Sequence, residues 1–177
     1  MRASLVSALA LVAGCGSAPQ VAGQPADRGT ATQTQTQHLI LPSPDTEDAS
    51  WHEPGDDTLS FGEPRAPLLS MTCDVEGSRL VLVRHAPAPE GAKALAAFVG
   101  NNIAARWNVD ATRSGGETVW KGAVPLDERK LALFDSRTRI EVTIPGAGKL
   151  RMASDPAPGN FVDRCRAAAG RAGGSAD

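Results

Sequence analysis

The sequence predicts a mainly β protein, a small antiparallel sandwich or barrel with a C-terminal helix. Three observations lead there. Apolar and polar residues alternate with a period of two through several short runs between Thr58 and Met152. Glycine, proline and asparagine turns separate those runs at the short intervals that hairpins need. Near the C-terminus, after the last of these runs, one segment spaces its apolar residues as a helix does.

The first run, 58–62, alternates Leu59 and Phe61 with small polar residues before Gly62-Glu63-Pro64 turns the chain. In 69–75, Leu69, Met71, Cys73 and Val75 share one face. Glu76-Gly77-Ser78 then turns into the branched run Leu80 to Val83, which makes the two runs antiparallel neighbours. Residues 94–99 have helical propensity. They also precede a Gly100-Asn101-Asn102 turn, beyond which Ile103, Ala105, Trp107 and Val109 alternate strictly with Ala104, Arg106, Asn108 and Asp110. A strand at 94–99 completes a hairpin with that one and is the better reading, although helix stays open.

Ser114-Gly115-Gly116 turns into a further strand at 117–124, which Pro125 stops. Between Leu126 and Asp135, Leu131, Leu133 and Phe134 stand among charges, as expected of one helical turn or a packed loop that plugs an open end. The runs 139–144 and 149–152 flank Pro145-Gly146-Ala147-Gly148 and form a hairpin. Finally, Asn160 can cap a helix in which Phe161, Cys165 and Ala168 share a face.

The N-terminus sets the address. Met1-Arg2 precedes the apolar run Leu5 to Leu11, and Val12-Ala13-Gly14-Cys15 supplies small residues for a peptidase. This is a secretory signal, too short for a permanent membrane span. With the cysteine at the cut, it resembles the lipobox of bacterial lipoproteins. The resemblance implies removal of residues 1–14 and acylation of Cys15. At about 0.8 kcal/mol per buried methylene, the two or three chains it implies anchor durably where one holds only marginally. Gly16 stands where an aspartate favours inner-membrane retention in that family, so the expected location is the outer membrane, facing the periplasm. Cleavage leaves 163 residues.

From Gly16 to about Pro54 the chain is rich in Gln, Ala, Thr, Pro, Asp and Gly, with little to fill a core. Residues 15–57 are therefore read as a lipidated disordered tether, with a span of roughly 35 Å for about 40 residues. His38-Leu39-Ile40-Leu41-Pro42 is its one apolar run, by chance or as a local docking element. One domain follows at 58–169, then a frayed tail at 170–177.

With Cys15 lipidated, Cys73 and Cys165 remain in an oxidising compartment and are expected to pair. Closing that long loop removes unfolded-state freedom worth roughly 4.5 kcal/mol in the chain-entropy model. A thiol-redox site is disfavoured because no Cys-x-x-Cys occurs.

Chemistry is sparse. The formal net charge is −2, with no basic stretch that would mark nucleic-acid binding. Tyrosine is absent, and aromatic residues make up 4% of the chain, few for stacking a sugar or base. Of the histidines, His38 and His52 fall in the expected tether, and His85 reads as a surface-loop residue after a strong strand. His52 with Glu53, Asp56 and Asp57 reads as solvated tether, so neither a metal site nor a cofactor is expected. Phosphate-loop motifs are missing, and Ser114-Gly115-Gly116 precedes a strand where a phosphate loop needs a helix. The candidate binding face is Arg106, Asn108 and Asp110 with Arg113, Ser114 and Lys121.

Cys73, Gly77, Leu80 to Val83, Ser114-Gly115, Trp120-Lys121-Gly122 and Cys165 follow an order similar to that of membrane-bound inhibitors of C-type lysozyme, which are small lipid-anchored barrels. The resemblance implies inhibition, with Ser114 and Lys121 matching the inhibitory loop and the neighbouring strand. That family's Ser-Gly motif continues to a tyrosine, and Val119 stands roughly in its place. The leading expectation is a non-catalytic envelope binding or assembly module, held to the membrane by its lipid and contacting an envelope protein. The alternatives are lysozyme inhibition and an envelope enzyme.

Overall fold

A computed structural model describes residues 40–135 and 138–173. The signal segment, Cys15, His38 and residues 174–177 lie outside the described residues.

Nine strands among the described residues form one antiparallel, nearly closed, barrel-like sheet. They are β1 (Ser50–Gly55), β2 (Thr58–Glu63), β3 (Ala66–Asp74), β4 (Arg79–Arg84), β5 (Lys93–Gly100), β6 (Ile103–Ser114), β7 (Glu117–Pro125), β8 (Ile140–Thr143) and β9 (Lys149–Met152), followed by the helix α1 (Ala157–Gly173). Their order in the sheet is β1-β2-β3-β4-β7-β6-β5-β8-β9. Residues 94–99 are strand, because the Asn101-Asn102 turn, with both residues at positive φ, pairs β5 with β6 from Lys93↔Asp110 to Gly100↔Ile103.

The sheet reaches further toward the N-terminus than the sequence predicts. Ser50–Gly55, read as tether, is an edge strand in which Trp51 packs on Phe61 with ring centroids 5.2 Å apart. One inward aromatic among polar residues gives too little alternation to be recognised. Before it, Leu41 docks on the β8–β9 turn: its N–H donates to the Gly146 carbonyl at 2.8 Å, and the Ser43 hydroxyl accepts from the Lys149 N–H at 2.9 Å. Residues 41–49 thereby link the two edge strands.

Inward parity places Leu59, Phe61, Leu69, Met71, Leu80, Leu82, Phe98, Trp107 and Val142 in one core. A fully buried side chain of this size contributes about 1.5–3 kcal/mol. One end is plugged as predicted. A 3-10 helix at Arg129–Phe134 buries Leu131, Leu133 and Phe134, and Phe134 meets Phe98 at 6.0 Å. The Asn101 amide donates to the carbonyls of Ala132 and Leu133, tying the β5–β6 turn to that plug.

Helix α1 completes the closure with Phe161, Val162 and Cys165. It starts three residues before the predicted Asn160, because the Asp155 carboxylate accepts from the Ala157 N–H at 2.8 Å. It also continues to Gly173, through the first part of the expected frayed tail. Cys73 and Cys165 are disulfide-bonded, joining β3 to α1. No helix of the described residues is long and apolar enough to cross a membrane.

Candidate functional site

β6 is the longest strand, and its alternation puts Arg106, Asn108 and Asp110 on the outside, all exposed. β7 pairs with its far half, Asp110 opposite Lys121 and Ser114 opposite Glu117. Asp110, Thr112, Ser114 and, across the ladder, Lys121 therefore lie on one face. The Lys93 ammonium ion-pairs with Asp110 at 3.1 Å, both side chains being more than half exposed, so the pair adds little stability and leaves the charges on offer. Arg113 is a correction. It falls between Thr112 and Ser114, opposite Thr118, and so belongs to the other face of the hairpin. Five of the six predicted residues share a surface. At the tip, Gly115 and Gly116 have positive φ and open space around them.

A second polar constellation was not anticipated. Ser60 and Ser70 alternate with core residues yet are buried, at 3% and 9% exposure, between the larger His52 and Val83 of the adjoining strands. Their hydroxyls bond to each other at 2.9 Å, and Ser70 bonds to His85 Nε2 at 2.9 Å. His85 is thus a half-buried member of a hydrogen-bonded chain, where the sequence predicts a surface-loop histidine. Burial, and then the charge of Arg84, hold its pKa below the ordinary imidazole value, with Glu117 acting in the opposite direction. His52, in β1, has a buried Nδ1 that makes no hydrogen bond.

Arg84 ends the inward series Leu80, Leu82, Arg84 and is 6% exposed. Its guanidinium donates to the carbonyls of Leu68 (2.9 Å), His85 (3.2 Å) and Ala147 (3.4 Å). Desolvation lowers its pKa. The signal for it was present in the sequence as an arginine at an inward position. Opposite it in β7 is Trp120, 4% exposed, whose indole N–H is buried without a partner. Among the described residues no three His, Cys, Asp or Glu side chains gather as ligands for a metal.

No family model matches the chain, nor does any curated protein or solved structure.

Proposed function

We propose that this is a lipid-anchored cell-envelope protein, bound to the outer membrane through Cys15 and acting as a non-catalytic binding or assembly module. The observation that carries the reading is the outer face of β6 and β7. Arg106, Asn108, Asp110, Ser114 and Lys121 stand exposed on two long paired strands, backed by a plugged core that fixes their spacing. Such a face needs no convergent acid, base or metal to function; it needs a complementary surface. The anchor supplies proximity to other envelope proteins.

Replacing Cys15 with Ser should release the protein from membrane to soluble fractions, with no lipid mass on that residue. Identical fractionation of parent and variant would remove the anchor. Photo-crosslinkers at Asn108 and Lys121 in intact cells should capture one envelope protein, and the double charge reversal R106E/K121E should abolish the adduct while the domain stays folded. Turnover of a substrate by the purified protein, lost on Asp110→Asn or Glu117→Gln without loss of folding, would replace this reading with an enzyme.

A second reading is inhibition of C-type lysozyme. It draws support from the barrel and from Ser114 and Lys121 sharing a face of one hairpin. Loss of inhibition on Ser114→Ala would establish it, and no inhibition by the parent protein would end it.

A further inference from the structure

The outer face of β5 carries Lys93, Leu95, Ala97 and Val99, and of these Leu95 and Val99 are 50% and 51% exposed. Ala104 of β6 stands across from Val99, while Ala97 has Arg106 of β6 on one side and Thr143 of β8 on the other. An apolar stripe therefore runs along the outside of the barrel. Strand propensity accounts for a branched side chain such as Val99, but not for Leu95, whose cross-strand neighbour is the exposed Asn108. Isolated exposed aliphatics are ordinary; two large ones in line on one strand make a continuous surface that gains by leaving water.

The charges that frame the stripe have a positive excess. Lys93 is taken up by Asp110, which leaves Arg106 and Lys121 without an ion pair among the described residues. On the other side Glu141, level with Val99, is shared by Lys149 and Arg151, two cations to one carboxylate. Glu117, the remaining acid of this face, stands at the far tip opposite Ser114. The whole chain has a formal charge of −2, so the excess is local. It narrows the choice of occupant. A second copy of the face would set like charges against like. Residues 16–39 of the chain itself contain one Asp and one Arg and offer no net acidic match. An anionic bilayer would press its headgroups on Asp110 and Glu141 as well as on the cations, whereas a protein can place carboxylates only where the cations stand.

We propose that the partner-binding face extends across β5, with Leu95 and Val99 as its apolar centre, and that the partner is a protein presenting an aliphatic side chain framed by carboxylates that reach Arg106 and Lys121. This rests on the reading of β6 and β7 as a binding face and names the chemistry of what binds there. Leu95 and Val99 supply the area removed from water, and the cations beside them select the partner and set its orientation.

The test places an aliphatic diazirine amino acid at Leu95 of the full chain in intact cells, beside the crosslinker at Asn108. Both sites should capture the same protein, and mass spectrometry of the Leu95 adduct should map it to a peptide with an aliphatic residue next to Asp or Glu. Leu95→Glu should lower the Asn108 adduct about tenfold or more, because a carboxylate would then be buried against carboxylates. Leu95→Met should leave it within about twofold. Leu95→Ser, which adds no charge, should also lower it and serves if the glutamate disturbs the fold, as checked by circular dichroism. Capture at Asn108 but not at Leu95, or an Asn108 adduct indifferent to Leu95→Glu and Leu95→Ser, would overturn the extension across β5 and leave the β6–β7 face standing. A Leu95 adduct with a lipid, with a peptide of this same chain or with a Lys- and Arg-rich peptide would overturn the acidic-protein assignment. No adduct at either position would remove the binding face and this proposal together.

Discussion

The end of β4 places His85 where its protonation is disfavoured. Burial and the adjacent Arg84 charge both oppose its protonation, and its ring is engaged by Ser70. Its folded pKa lies below the unfolded value of about 6.5, so between the two the unfolded chain binds more protons. Stability contributed by this residue is therefore complete above about pH 6.5 and is lost as pH falls through the depressed folded value. Urea unfolding at pH 7.5 and pH 5 should show the decline, and His85→Gln should flatten it. An unchanged slope in the variant would assign the decline to other groups. Asp74 and Glu141 are also depressed, Asp74 by the Gly77 N–H and Arg79, Glu141 by Lys149 and Arg151. With folded values below the unfolded carboxylate range, their contribution is complete above about pH 5 and is lost as pH falls further, so it is separate from that of His85. At this scale the sequence was only partly legible. The parity of Leu80 and Leu82 carries Arg84 inward, a consequence not drawn from the sequence, and which small outward residues such as Ser60 and Ser70 become shaded depends on cross-strand neighbours such as His52 and Val83, which no local pattern specifies.

Among the elements, β7 shows why glycine follows Trp120-Lys121. The β6–β7 ladder ends at Asp110↔Lys121, and beyond it β6 turns across Gly122, where a side chain would collide with the Asn108 carbonyl oxygen and lie 3.0 Å from Val109 Cγ1. β6 cannot yield cheaply, because Asn108 and Val109 are paired with Leu95 and Ala94 of β5. Gly122→Ala should cost about 1–3 kcal/mol, the range for overpacking, measured by urea unfolding. Gly170 is the contrast: it lies in α1 with open space where a Cβ would go. Gly170→Ala should stabilise by about 0.5–1 kcal/mol, and a destabilised variant would mean that α1 bends there. Hairpins were the most legible elements, since an alternating run, a turn and a second run specify their own pairing, as at 139–152. β1 was missed because Ser-Trp-His-Glu-Pro-Gly lacks alternation. The insertion of β7 between β4 and β6, and of β5 between β6 and β8, is set by closure of the whole sheet, which turn residues do not encode.

For the molecule as a whole, the decisive feature is that the plug and the sheet share one core. α1 places Phe161 and Val162 against the same apolar cluster as Phe134 and the inward strand residues, and Arg166 Nε donates to the Leu126 carbonyl at 2.9 Å. The Cys73–Cys165 bond spans 92 residues, enough to restrict most of the unfolded domain. Its removal should therefore lower stability by about 2–5 kcal/mol without dividing the domain into parts. In C73A/C165A, urea unfolding followed by far-ultraviolet circular dichroism and by tryptophan fluorescence should give one coincident transition at a lower midpoint. Circular dichroism follows helix and sheet together, and fluorescence follows Trp51, Trp107 and Trp120 of the sheet. An early transition seen only as lost helix would show that the disulfide itself holds α1 in place and that the burial of Phe161 and Val162 is too weak to do so alone. A single transition would instead mean that packing holds the helix and that the bond acts chiefly on the unfolded chain.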